Sequence, residues 1–315
     1  MTLSIETILQ GTGLGPTQSV GLMQVIPLLA DDDGVALAPP SLEVGTQGYG
    51  TLLLRADADT LVPTGAGWIV RQRAQDHALA SATFVKKGEQ KVVPTAMCIQ
   101  QTQGGTITQG THPLTILPAM LRKAALAVRH VVDFRKLWES IGALNAAHGV
   151  GGVGGNLVAF LQKFEQELDA FVAELEIVDR QVGAIVLVAG EVVGIERTPS
   201  AAYFRAVFGP LVRVCYGSLA VAAAKENREV PSTRVPLVLA EQTLAGLRAA
   251  LAVAREREEA IANLVTARLR SEPLVPAETP DEVLGDAEIR TVAGPRFAGQ
   301  VVTVRGRVAY ASLCA

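Results

Sequence analysis

The stretch Gln181–Ile195, QVGAIVLVAGEVVGI, decides how the chain is read. It is the most apolar run in the sequence. Glu191 interrupts it, and it falls short of the roughly 20 residues that a membrane-spanning helix needs. Its β-branched residues and its centre, Ala189-Gly190-Glu191, point instead to two buried strands joined by a tight turn. A hairpin of this kind belongs inside a core.

Outward from it, residues 181–315 read as an α+β portion. Ser200 opens a helix that runs to about Lys225, and a long amphipathic helix spans Leu237–Leu269. Within it, Arg255–Glu259 is a solvated, ion-paired face. Residues 271–286, rich in proline and acids, read as a surface connector. Val301–Leu313 closes the chain as a strand pair turning near Gly306. Residues 113–180 read as helical. Apolar side chains recur at three- and four-residue steps from Leu117 to about Ala147, and a second helix starts at the N-cap Asn156 and reaches Leu175. Residues 1–112 read as a β-rich unit, a sandwich or barrel-like arrangement. Its strands are Val20–Leu29, Thr51–Arg55, Thr60–Pro63, Gly67–Gln72, Ser81–Val85 and Val92–Gln100, with an acidic turn at Asp31–Gly34. The fold class expected is α+β, with the three portions free to form one continuous domain.

Composition narrows the function classes. Of 315 residues, 49% are hydrophobic and only 19% charged, which leaves few charges to cover the surface and points to a homo-oligomer. The net charge of −3 is spread without a basic stripe, and aromatics are 4%, so neither counterion release nor base stacking supports nucleic-acid binding. Three separated cysteines, Cys98, Cys215 and Cys314, fit no disulfide framework or zinc site and suit a reducing cytoplasm. The opening MTLSIETILQGTG has neither the basic region nor the apolar run of a signal peptide, and no membrane association is expected.

Motifs add little chemistry. Gly149–Gly154 matches G-x-G-x-x-G, but no strand precedes it, so it reads as a helix–helix connector. Asp31-Asp32-Asp33-Gly34 lacks the spacing of a calcium loop. The histidines, His77, His112, His130 and His148, form no metal-binding pair, and no nucleophile elbow or phosphate loop is present. Cys98 and His77 can pair only if neighbouring strands bring them together; otherwise a strand cysteine is a small hydrophobe.

Several segments together resemble a known family. They are Gly67–His77, Val92–Gly104, the hairpin Gln181–Ile195 with the following helix Tyr203–Tyr216, and Gly306–Tyr310. The chain is similar to the ADP-ribosylglycohydrolase- and rhodanese-phosphatase-associated protein domain. That resemblance implies an association with ADP-ribose or NAD-related stress responses. It also implies a divergent member. Gln75-Asp76-His77 stands where the family tends to carry Gln-Asn-Arg, and Cys98–Gly104 carries Gln100 and Gln103 where a glutamate and an arginine are expected. An amide cannot titrate, and losing arginine removes a bidentate anion fork.

Two readings of function follow. In the first, the chain is a non-enzymatic, self-associating protein, an assembly subunit, with no catalytic residue, metal or cofactor. In the alternative, the chain is a ligand-binding or weakly catalytic protein of a stress or conflict response, and a small nucleotide-like (ADP-ribose or NAD-related) ligand binds among Gln75, His77, Cys98, Gln100 and Gln101.

Overall fold

The hairpin read from Gln181–Ile195 stands at the centre of the molecule. The computed structural model describes residues 3–31, 34–70, 75–226, 228–229 and 235–315. Strands Gln181–Val188 and Glu191–Arg197 pair antiparallel, with Ile185 opposite Ile195. Ala189 and Gly190 both have positive φ, 50° and 83°. This is the mirror-image turn whose twist matches that of the flanking strands.

Every residue of Gln181–Val188 is buried, because both faces of its sheet are covered. Ala184, Val186 and Val188 enter the larger core, while Ile185 and Leu187 enter a second core on the opposite face. Alternate side chains thus meet different partners, and a strand buried on both sides reads as a continuous apolar run. The same division holds for the neighbouring strand Met23–Leu29, with Met23 and Val25 on one side and Ile26 and Leu28 on the other.

The sheet has 11 strands drawn from both ends of the chain. Met23–Leu29 pairs with Gln181–Val188, and on the other side Glu191–Arg197 pairs with Arg307–Cys314. Ala298–Val304 and Ala287–Ala293 continue the order. The fold is α+β, as expected. The closing strand pair is also present, turning at Arg305 and Gly306, which have φ of 51° and 76°.

Some expectations are corrected. Val20–Leu29 is two strands, Gln18–Val20 and Met23–Leu29, folded about Gly21 at φ 55°. Val92–Gln100 breaks at Pro94-Thr95 into Gln90–Val93 and Met97–Cys98. The connector 271–286 contains strands Pro273–Pro276 and Glu282–Leu284, both paired with Ala287–Ala293. Pro273 and Pro276 occupy the first and last positions of a short strand, where a missing N–H is tolerated. Asp32, Asp33 and Arg71–Ala74 lie outside the described residues.

Residues 43–116 build three small sheets around a core of their own, including Val44, Leu54, Trp68 and Val85. The helical portion packs on the larger core. The expected long helix is two, Ala119–Ala127 and Trp138–Ala147. Asn156 caps Leu157–Lys163 by accepting from the Ala159 N–H at 3.3 Å, and the glycine connector before it holds Gly149, Gly152 and Gly154 at positive φ. Ser200 caps the helix from Ala201, accepting from the Tyr203 N–H at 3.1 Å. Past Pro210, which has no N–H to donate, the helix widens into a π turn over Leu211–Tyr216 before continuing to Lys225. This helix is long and apolar enough to cross a membrane by composition, and it is mostly buried inside the fold. Among the described residues the helix Leu244–Arg270 buries Ala262, Thr266 and Leu269 fully, all in its second half.

Candidate functional site

Cys98 and His77 do come together. Strands His77–Ala78 and Met97–Cys98 are antiparallel neighbours in which Cys98 stands directly opposite His77. Side chains in that relation share a sheet face. The chemistry, however, is already used up. His77 Nδ1–H donates to the Gln75 carbonyl at 2.7 Å, and Nε2 accepts the Gly50 N–H at 3.2 Å. Both ring nitrogens are occupied, which fixes a neutral tautomer, and burial lowers the imidazole pKa. The Gln100 N–H donates to the Cys98 sulfur at 3.4 Å, and burial pushes that thiol up to about 11. A nucleophilic cysteine needs a thiolate and a base with a free lone pair. This pair has neither.

The other expected residues separate. Gln101 is exposed; its Oε1 accepts the Gly155 N–H at 2.7 Å and tethers the glycine connector. Gln75 is buried, and among the described residues its Oε1 has no hydrogen-bond partner. Gln100 lines a cavity of about 330 Å³ together with Asp76, Gln103, Gln162 and Glu165. Its Nε2 donates to Gln103 Oε1 at 2.6 Å, while its own buried Oε1 meets no donor among the described residues.

Asp76 is the residue that sequence reasoning passed over, although it stands between two that were named. Its Oδ1 accepts the Val70 N–H at 2.6 Å, and burial raises the carboxyl to about 7 against the single lowering effect of that bond. A carboxyl poised there exchanges a proton near neutral pH and can donate or accept. The sequence around it, Arg71-Gln72-Arg73-Ala74-Gln75-Asp76-His77, is polar and carries no signal that Asp76 would be buried.

The polar cavity shares Ile69, Val70, Val158, Gln162 and Glu165 with an apolar groove of about 730 Å³. Leu114, Leu161 and Val214 line the far part of that groove. The result is one cleft between the small β unit and the helices, with a polar end at Asp76 and Gln100. Pockets of this make-up, mostly apolar with a few placed polar groups, suit small molecules. Among the described residues no cluster of histidine, cysteine or carboxylate side chains could hold a metal ion.

A second polar cluster lies inside the main core. Glu196 points to the helix-covered face of the sheet, directly opposite Ser312 in the next strand. Arg122, from Ala119–Ala127, meets it at 2.8 Å, and each is only 2% exposed. Tyr216 donates to Glu196 Oε1 at 2.7 Å and the Ser312 hydroxyl to Oε2 at 2.5 Å. Arg122 also bonds to Ser312 and, at 3.4 Å, to the Cys215 sulfur. Gly194 makes room for this knot, since a Cβ there would stand 2.0 Å from the Tyr216 oxygen.

The family comparison covers both clusters and nearly the whole chain. The model of the ARG and Rhodanese-Phosphatase-superfamily-associated Protein domain matches residues 12–314. The chain belongs to that family. The resemblance read from the sequence is thereby established, and the matched region takes in the cleft, the central hairpin and the closing strands. No curated protein and no solved structure matches the chain. In this family member a carboxyl does face the cavity beside Gln100, supplied by Asp76.

Proposed function

We propose that this family member is a binding protein for a small molecule that lies in the cleft with a donor-bearing head against Asp76 and Gln100 and an apolar body along the groove. The supporting observation is the polar end itself, where a carboxyl whose pKa burial raises to about 7 stands beside a buried acceptor that no donor among the described residues meets. Buried acceptors are ordinarily satisfied, so an N–H or O–H from outside would lower the free energy of the site. A nucleobase or a carboxamide-bearing ring presents such donors on a flat apolar body, consistent with the nucleotide-like ligand implied by the family. Cys98, whose thiol burial holds up at about 11, is not the nucleophile in this reading. Thermal-shift assays with adenosine and nicotinamide test this reading. Binding should raise the Tm of the wild type and not of Val158→Trp, which fills the cleft. Shifts of equal size in both proteins, or none in either, would sink the proposal.

Self-association has separate support. On the helix Leu244–Arg270, Leu244 and Leu251 are exposed, Leu244 by 75%, and Leu237–Leu239 just before it are exposed as well. A helix with its first half unsupported gains little from propensity alone. A second copy of the chain packed along that row would bury it. Sedimentation of the wild type and of Leu244→Lys/Leu251→Lys distinguishes the cases, with the variant expected to be smaller. Identical sizes would remove the support.

A further inference from the structure

We propose that the molecule held in the cleft is linear and two-headed, an alkyl chain with an amide N–H at one end and a hydroxyl oxygen at the other, and that Thr115 binds the second end. This assignment rests on the ligand-binding cleft proposed above. It keeps the donor-bearing head at Gln100 and specifies the body and the far end.

The far end is built around one side chain. Thr115 is the middle residue of the strand Leu114–Ile116, opposite Gly67, and is 8% exposed. It lines the apolar groove with Leu114 and Val214, and among the described residues its hydroxyl has no hydrogen-bond partner. The methyl group is the part that packs on the neighbouring strand, since a Cβ on Gly67 would stand 3.2 Å from Thr115 Cγ2. Valine would fill the same position with nearly the same shape and no hydroxyl to desolvate. The cleft therefore leaves two buried oxygens without partners among the described residues, Gln100 Oε1 and Thr115 Oγ1. Each lines one of the two cavities that share Ile69, Val70 and Val158.

The wall between them suits methylenes better than a sugar or a phosphate. Pro113 and Pro210 have no N–H to give, and the Val70 N–H is taken by Asp76 Oδ1 at 2.6 Å. His112 Nε2–H donates to the Thr108 carbonyl at 3.0 Å, and Arg213 Nε–H to Asp169 Oδ1 at 2.5 Å. Ribose hydroxyls or a phosphate would lose water there and find few partners in exchange. An alkyl chain gains with each methylene buried against Val158, Leu161 and Val214.

The test is isothermal titration calorimetry on the full chain with straight-chain primary amides, butanamide to octanamide, and with their ω-hydroxy counterparts. The Kd of the plain series should fall about fourfold per methylene until the groove is full. At the length that reaches Thr115, the ω-hydroxy amide should bind the wild type at least as tightly as the plain amide. In Thr115→Val it should bind about tenfold more weakly than the plain one. Thr115→Val should also raise the Tm of the free protein, because it removes an unpaired buried hydroxyl. If the plain amides bind but the hydroxyl weakens binding at every length in the wild type, the assignment of Thr115 is wrong and the cleft stands without it. A lowered Tm for Thr115→Val would show that the hydroxyl already has a partner and would overturn the assignment too. Absence of binding by every amide would overturn both the assignment and the cleft.

Discussion

The Asp76 cleft and the Arg122–Glu196 knot both place charged groups in the interior, and they handle the charge in opposite ways. In the knot, both Glu196 oxygens are bonded, by Arg122, Tyr216 and Ser312. At the cleft, Asp76 receives one backbone N–H through Oδ1, and Gln100 beside it keeps an empty acceptor. A carboxylate bonded through both oxygens fixes helix to sheet, even though Arg122 Nε finds no partner among the described residues. An unsaturated cluster at a cavity stores a cost that a ligand can relieve. Polar groups in a core are therefore better sorted by what they leave unbonded than by how deeply they lie.

Breaking the knot should have the largest effect. Glu196→Gln leaves Arg122 buried without its counter-charge and should cost about 3–5 kcal/mol in urea unfolding. Arg122→Met with Glu196→Leu removes both charges and should recover most of that loss. If the single and double variants are equally unstable, the ion pair is not what is being measured.

Next comes the pH response of the cleft. Asp76 has its pKa raised from 3.8 to about 7 on folding, so the native state holds a proton that the unfolded state has lost. Stability from this residue is fully present below pH 3.8 and falls as pH rises through 7. Asp76→Asn keeps an acceptor for the Val70 N–H and removes the titration. It should be more stable than the wild type at pH 8, by on the order of 3 kcal/mol, with no such gain at pH 4. Equal gains at both pH values would assign the effect to packing.

His77, one residue along, responds with the opposite sign. Its pKa is lowered from 6.5, so its contribution is fully present above 6.5 and is lost as pH falls below that value. His77→Gln should lower stability by about 1–3 kcal/mol at pH 8, because the Gly50 N–H loses its acceptor, and should flatten the acid limb of the stability profile. The smallest effect belongs to the exposed helix. Leu251→Lys should change monomer stability by less than about 0.5 kcal/mol while reducing any assembly seen by sedimentation.

The sequence revealed what depends on neighbours along the chain. The hairpin at Gln181–Ile195 was legible because burial on both faces makes a continuous apolar run. Asn156 and Ser200 were legible as caps because a cap acts on a backbone N–H three residues away. Strands such as Pro273–Pro276 were hidden, since their pairing comes from a partner strand and not from periodicity. The sites were hidden for the same reason. His77 and Cys98 could be named as a possible pair, but their hydrogen bonds to Gly50 and Gln100, which end any nucleophilic reading, come from the fold. Glu196 finds Arg122 74 positions away, and Asp76 acquires its pKa from burial that no local pattern announces.

The most direct measurement is a carbon-13 NMR titration of the Asp76 side-chain carboxyl in the intact protein, with Asp76→Asn used to assign the signal. A midpoint near 7, lowered when adenosine or nicotinamide donates into the cleft, is the expected result. A midpoint near 3.8 that no ligand moves would mean an ordinary, solvated carboxylate, and would contradict the unsaturated site on which the proposed function rests.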